Sequence, residues 1–458
     1  MVVLLKNGWL FVEIRFFAYT GNFMQTTDVL IIGAGAAGLM AAYRLSESGK
    51  KVIVLEARNR TGGRIHTISH ESFFKHAELG AEFIHGNLPV TLNLLKEANI
   101  KYSAAGGEMV RYDKGNFIDH EGFIENWDLL MQKLNELEQD TDIADFLRTH
   151  FPGDEYTKMR DGVSKYVAGY DTADPAKASV FALRNEWNNE DDDAQHRLDD
   201  GYCSMINYLA NKIKGNGGSV FLNSAVTQID WKQETVKVAT TTGEVYAAGK
   251  VVIALPLGVL QADRNEKGAI EFHPPIKEQS EAINKVGFGA IIKFLLEFKD
   301  PFWENSDSKK LAGKSLKDMA FLISDENIPT WWTQYPKHSA LLTGWLGGPR
   351  AEEKKGNTND ELLQQALQSL SNIFKLSVDE LRAKLIASSI INWTAEPFTR
   401  GSYSYDTVAA PKAREVLDVG VDNTLFFAGE YLYEGAAMGT VEAALTSGQN
   451  VAKQILNN

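Results

Sequence analysis

Residues 28–56 read DVLIIGAGAAGLMAAYRLSESGKKVIVLE, and this stretch decides the fold. It opens on a short apolar run, DVLII, passes through GAGAAG and continues as LMAAYRLSESG. Apolar Leu39, Ala42, Tyr43 and Leu45 recur at helical spacing, and Gly49 stops the helix. A second apolar run, KVIVLE, follows at once. The pattern predicts a strand–helix–strand unit of about 30 residues, the opening of a doubly wound sheet.

Gly33, Gly35 and Gly38 form G-x-G-x-x-G at the strand-to-helix turn. The first glycine allows the tight turn, the second lets a pyrophosphate approach the backbone, and the third lets helix pack on strand. Ala36 and Ala37 then begin a helix whose free N–H groups and partial positive charge suit phosphates. Glycines alone can be mere turn formers. Here Glu56 closes the second strand about 18 residues after Gly38, where a carboxylate suits a ribose diol and repels a 2′-phosphate. The reading is a dinucleotide site.

Bulk properties narrow the partners. At 458 residues the chain exceeds what one core usually organises, so two intimately packed domains are expected. A net charge of −13 argues against nucleic acid, which needs a basic face. It suits a cationic ligand, although many acidic proteins owe their sign to solubility. One cysteine, Cys203, excludes an intramolecular disulfide and a multi-cysteine metal site, so no metal is expected. It fits a reducing, cytoplasmic setting, with a periplasmic one if residues 1–23 act as a targeting segment. That segment is rich in apolar residues, but Lys6, Glu13 and Arg15 break it, and Met24 lies just before the first strand. The plain reading is an over-long start that contributes little. No run of about 18 apolar residues occurs and the end, VAKQILNN, carries no apolar tail, so no membrane anchor is expected.

Further along, Ser219–Phe221, residues 226–230 and Thr235–Thr240 read as short strands, with a turn at Gly243 and Glu244 before 245–247. Residues 250–255 (KVVIAL) and 290–298 (AIIKFLLEF) read as buried strands, and 361–374 as an amphipathic helix. Residues 424–428 (TLFFA) read as a strand and 440–456 as the last helix.

After Glu56 comes ARNRTGGRIHT, where Ala57, Arg58, Gly63 and Arg64 bring positive charge and glycines beside the pyrophosphate site. This stretch resembles the second fingerprint of the flavin amine oxidase family, within the glutathione-reductase-like FAD superfamily. The resemblance continues through ELGAEFIHG (78–86), Val226 in NSAVTQI, VVIALPLG (251–258), Trp393, RGSYSY (400–405), FAGE (427–430) and GTVEA (439–443). Within the family it resembles polyamine oxidases and histone-lysine demethylases more than monoamine oxidases, and is closest in motif to polyamine oxidases. Blocks at the start, middle and end imply an α/β fold in which a glutathione-reductase-like FAD-binding Rossmann domain is interleaved with an α+β substrate domain of mixed sheet plus helices. The expected division is 26–105, 200–265 and 394–458 for FAD, 106–199 and 266–393 for substrate, and 1–25 as an extension.

The resemblance also implies roles. The backbone at Gly80, Ala81 and Glu82 passes the flavin ring, Val226 contacts the adenine, and Gly429 and Glu430 lie at the ribityl–phosphate region. The Thr440 and Val441 backbone faces the pyrimidine end, and Trp393 belongs to the aromatic approach to the ring. Ser402 stands where monoamine oxidases carry the cysteine that bonds to FAD, so the cofactor is expected to be non-covalent.

Lys293 is the main catalytic candidate. A lysine inside AIIKFLLEF is costly to bury unpaired, so it either lies at an edge or has a purpose. In the family such a lysine holds a water near flavin N5. Tyr403 matches one member of the aromatic pair that orients the amine, while the other position falls at Ala436, which is not aromatic. Trp393 supplies a wall or simply packs. His85 matches the second histidine of the HWIHG segment of animal-type polyamine oxidases, and Glu82 replaces the first, where it could meet a remote ammonium or merely be solvated. Glu186 lies in the substrate region, before an acidic run that reads as a solvated loop or as a rim for polycations.

The implied reaction is hydride transfer from an amine α-carbon to flavin N5, giving an imine that hydrolyses, with oxygen yielding hydrogen peroxide. Partners are therefore a small-molecule amine and oxygen; oligomeric state is left open. A monoamine-oxidase-like enzyme, a same-fold FAD desaturase or dehydrogenase of an apolar substrate, and an L-amino-acid oxidase are alternatives. So is a flavin-bound module that recognises a cation without oxidising it. Lys293 and RGSYSY count against the desaturase, and ELGAEFIHG offers no arginine where amino-acid oxidases of this kind usually place one for the substrate carboxylate.

Overall fold

The computed structural model of the protein describes residues 24–86, 88–118, 124–189 and 195–458. The expectations placed on residues 1–23 and on the acidic positions 190–194 lie outside the described residues. Gln25–Ile32 forms the predicted first strand, Ala36–Glu47 the helix and Val52–Leu55 the second strand. The two strands pair in parallel, Val29 opposite Val52 and Ile32 opposite Leu55.

This unit belongs to an eight-stranded sheet assembled from distant parts of the chain. Ser219–Phe221 pairs beyond Val52–Leu55, and Val245–Ile253 pairs in parallel on the other side of the first strand. Val29 and Ile31 enter one core with the helix Ala36–Glu47 and the last helix, Val441–Asn457. Leu30 and Ile32 enter a second core with the helices Lys277–Ile283 and Ala410–Val419. A strand buried on both faces must be apolar throughout, which is why DVLII shows no alternation.

Two differences from the sequence reading have physical causes. Residues 245–247 and 250–255, read as separate strands, form the single strand Val245–Ile253. The first strand pairs with it from Tyr246 to Ile253 and so holds it as one strand, while along its other edge the first half pairs antiparallel with Thr235–Thr240 and the second half in parallel with Leu425–Phe427. Beyond residue 265, Glu271–His273 also pairs into this sheet, against Val226–Lys232.

A second, seven-stranded sheet runs in the order Leu385–Asn392, Ile291–Phe298, Leu341–Gly347, Thr330–Trp332, Met319–Ser324, Glu108–Asp113, Asn116–Ile118. Ile291–Phe298 is therefore interior, antiparallel to a neighbour on each side. Ile292, Phe294, Leu296 and Phe298 point into one core with Leu362, Ala366, Leu367 and Leu370 of the helix Asn359–Phe374. Lys293, one residue out of phase, must point to the other face. A small sheet places Gln195–Leu198 between Ile84–His85 and Tyr102–Ala104. Among the described residues no helix is long and apolar enough to cross a membrane. Nor do those residues contain a group of three or more His, Cys, Asp or Glu that could hold a metal ion.

Candidate active site

The glycine turn is built as its spacing requires. Gly33 holds φ at +104°, a conformation that favours glycine, and a Cβ there would overlap the Ala254 carbonyl oxygen. A Cβ on Gly38 would overlap the carbonyl oxygen of Gly33, so the third glycine is what lets the helix sit on the turn. Gly35 is different. Its φ is −77°, and a Cβ there would meet nothing within 4 Å. The helix behind it has no side-chain cap and no acidic residue in its first turn. Open space, unsatisfied N–H groups and the positive end of the helix dipole together fit a pyrophosphate.

Glu56 is 3% exposed, and its oxygens accept from the backbone N–H groups of Ala34 and Arg58, each at 2.9 Å. A carboxylate has about four acceptor sites, so capacity remains for a ribose diol. Both arginines of the expected pyrophosphate side line the cavity, and each is paired with a carboxylate. Arg58 donates to Glu396 and to Thr399 (2.6 Å), while Arg64 donates to Glu430 and to the Ser402 carbonyl oxygen, both at 2.7 Å. Two arginines in a half-buried place retain their charge at lower cost when each has a carboxylate partner. Glu430 also accepts from the Ser404 N–H and hydroxyl.

Of the residues selected from the sequence, all but Gly38 line one cavity of about 1050 Å³. The glycine turn, Ala57, Gly63, Val226, Gly429, Thr440 and Val441 border it together with Lys293, His85, Glu186, Tyr403 and Ala436. Gly80 permits this closeness, since a Cβ there would overlap the Arg64 carbonyl oxygen. Trp393 both lines the cavity and packs: it is 3% exposed and donates its indole N–H to the Leu79 carbonyl at 2.9 Å.

Lys293 is 1% exposed. Its interior strand removes the edge-strand alternative. The ammonium donates to the Gly80 carbonyl at 3.0 Å and to Glu82 at 2.8 Å, and lies 5.1 Å from the centre of the Trp332 ring. Glu82 is not solvated: it is 7% exposed, lines the cavity and is paired with cations of the protein itself. One oxygen takes Lys293, and the other takes Arg197 at 3.1 Å and Gln334 at 3.3 Å. Burial pushes its carboxyl up, but Lys293 and then Arg197 outweigh that and hold it below the ordinary carboxylate value. Arg197 and Gln334 escaped the sequence reading. They lie far from Glu82 in sequence, and no local pattern marks them.

Tyr403 donates its hydroxyl to the Tyr170 carbonyl oxygen. Burial, with Asp171 and Glu186 nearby, keeps that hydroxyl protonated far beyond neutral pH. The backbone passes close to its ring at Gly439, where a Cβ would come within 2.8 Å of Tyr403 Cδ2. Ala436 lines the cavity and contributes only a methyl group. Further aromatic lining includes residues the sequence reading passed over, among them Phe83, Tyr170, Trp332 and Trp345, the last two with ring centres 5.7 Å apart. The tryptophans in TWWTQ and GWLGG were the available signal. Burial lowers the His85 pKa to about 4, so its imidazole is neutral at physiological pH.

Behind this wall lies Glu78, which accepts from the Tyr202 N–H at 2.7 Å and from the Thr67 hydroxyl at 2.9 Å. Burial pushes its pKa from 4.5 up to about 7, against the Tyr202 hydrogen bond and the charge of Lys293. Because the folded value is the higher one, this group's contribution to stability is full below pH 4.5 and is lost as pH rises through 7. Glu78→Gln should therefore gain stability over the parent at pH 8 relative to pH 5, on the order of 2 kcal/mol. Thermal unfolding at the two pH values checks this, and equal shifts at both would refute it.

Residues 36–456 match the family model described as flavin containing amine oxidoreductase. The chain belongs to that family. Relatives of this flavin amine oxidoreductase include lysine-specific histone demethylase 2 of Homo sapiens, 28% identical over 93% of this chain and 53% of that protein. Polyamine oxidase 2 of Arabidopsis thaliana is 26% identical over 94% of this chain and 89% of that protein. The chain thus spans about half the length of the human demethylase and nearly all of the plant oxidase. A solved putrescine oxidase, wild type bound to putrescine, superposes with a TM-score of 0.76 at 19% identity, covering 95% of this chain and all of that one. Cyclohexylamine oxidase from Brevibacterium oxydans IH-35A gives 0.75 at 19%, covering 94% and 99%. At such identity the likeness shows the shared fold, the interleaved α/β architecture expected from the sequence.

Proposed function

We propose that this flavin amine oxidoreductase is an FAD-dependent oxidase of a polyamine or a related amine, with its FAD held non-covalently. One observation carries the reading: a single cavity joins the glycine turn that suits a pyrophosphate to the aromatic chamber containing the Lys293 ammonium. Gly33, Gly35, Ala36 and Ala37 would hold the pyrophosphate, Glu56 and Val226 the adenosine end, and Glu430, Thr440 and Val441 the flavin end. Ser402 offers a hydroxyl and no thiol, which supports a non-covalent cofactor.

When bound, the flavin would supply the acceptor for a hydride, two electrons with one proton, from the amine α-carbon, the nitrogen losing a proton to leave an imine that water hydrolyses, and oxygen would take the two electrons and two protons as hydrogen peroxide. The chain's residues prepare the amine for this. Asp171 and Glu186 line the cavity and both act electrostatically on Tyr403, so the chamber favours a cation at its aromatic wall. Apolar surroundings then favour loss of a proton from the ammonium, exposing the lone pair the reaction needs. Tyr403, a neutral phenol fixed by Tyr170, orients the amine. Lys293 uses two of its three donors on Gly80 and Glu82 and has one left to hold a water.

The test is anaerobic flavin absorbance against spermine, spermidine, putrescine, N-acetylated polyamines, aryl-ethylamines and amino acids. Fast bleaching by a polyamine is expected. Bleaching by aryl-ethylamines alone would move the enzyme to the monoamine class, and no bleaching with FAD bound would refute the oxidase reading. Acid precipitation should release the flavin to the supernatant.

A further inference from the structure

The buried cluster at Lys293 holds more positive than negative charge. Lys293 and Arg197 flank the single carboxylate of Glu82, whose side chain is 5% exposed. Arg197 is itself anchored: its guanidinium donates to the carbonyls of Tyr335 (3.1 Å) and Thr333 (2.9 Å) and lies 4.4 Å from the centre of the Phe83 ring. Fixed in that way, it holds one oxygen of Glu82 and so fixes the direction of the other, which receives Lys293. Glu78 is the next carboxyl, and below pH 7 burial keeps it largely neutral, so it does not cancel the excess.

We propose that Arg197, acting through Glu82, is the positioning residue that fixes the Lys293 ammonium in the cavity and leaves the cluster with one uncompensated positive charge. This rests on the oxidase reading only for what Lys293 does, not for where it is held. Removing one member of the cluster changes its charge in a defined direction. Arg197→Met makes it neutral, Glu82→Gln raises it by one, and Arg197→Lys keeps the charge but loses the planar fork that reaches two carbonyls and a carboxylate. Charge in this cavity acts on the flavin's affinity for electrons, positive charge favouring the reduced form.

The experiment uses the flavin-loaded protein at pH 6, and each variant's flavin midpoint potential is measured by equilibration with a reference dye, with no amine present. Arg197→Met is expected to lower the potential and Glu82→Gln to raise it, with Arg197→Lys close to the parent. In anaerobic stopped flow with spermine, Arg197→Met is expected to slow limiting flavin reduction about 10-fold or more, with half-saturation changed less than about threefold. In a Lys293→Met background the same substitution should change the rate less than about twofold, because the residue it acts through is gone. Potentials that stay put or move in the same direction overturn the proposal, as does an equal slowing in both backgrounds. If Arg197→Met does not fold, a lowered reduction rate with parental potential in Arg197→Lys supports it, and parental values of both overturn it. If no amine reduces the parent flavin, the oxidase reading falls, while the opposed potentials still decide this one.

Discussion

Lys293→Met slows reduction of the bound flavin by amine at least about 100-fold, with the flavin still bound. The magnitude follows from the role: a group that positions a reacting water or proton contributes roughly 10²- to 10⁴-fold. Methionine is close to lysine in length and apolar, so it fills the interior strand position without a cavity. It removes one of the two cations on Glu82, whose remaining oxygen is still held by Arg197 and Gln334. Stability should therefore fall by about 1–3 kcal/mol, less than when a buried charge loses every partner. Anaerobic stopped-flow absorbance measures the rate and thermal unfolding the stability. A rate within threefold of the parent would remove Lys293 from the mechanism, whatever its burial.

The second large effect separates two glycines of one motif. Gly35→Val should leave the flavin-free chain folded at its parental unfolding temperature, yet weaken FAD binding more than about 100-fold, roughly 3 kcal/mol. Its φ is ordinary and a Cβ there meets nothing within 4 Å, so the new side chain projects into the open cradle and obstructs what enters it. Gly38→Val should do the reverse in kind. Its Cβ overlaps the Gly33 carbonyl oxygen, so the helix must move off the turn and the flavin-free chain itself is destabilised by about 1–3 kcal/mol or more. Flavin content after dialysis, with unfolding of the flavin-free proteins, distinguishes the two. Full flavin occupancy in Gly35→Val would mean that the pyrophosphate lies elsewhere.

Much of the dinucleotide end is local chemistry, and local chemistry is legible. An apolar run, a turn that only glycine accommodates and a helix with a free N-terminus occupy adjacent residues, so residues 28–56 state their own structure. The capping box at Thr358 and Glu361 does the same for the helix Asn359–Phe374, whose start the period alone would put two residues later. Interleaving of the domains was likewise readable, because motif blocks sit at the start, middle and end of the chain and must meet.

The catalytic end divides differently. That Lys293 is unusual follows from its apolar neighbours, and that it lies out of phase with Ile292 and Phe294 follows from the period of a strand. Which face is the core and which the cavity depends on the helix Asn359–Phe374 covering one side. Its partners are further beyond reach of any pattern: Glu82 lies 211 residues away from Lys293, and Arg197 lies 115 residues from Glu82. A carboxylate's role is set by the charges that fold against it, and a periodic code does not record pairing across such separations. By itself the sequence determined the glycine turn between strand and helix, the α/β fold class and the oddity of a lysine inside an apolar strand. Only the tertiary structure decided that Glu82 is held between two internal cations, because burial makes its pairing obligatory and the packing of three distant segments selects the partners.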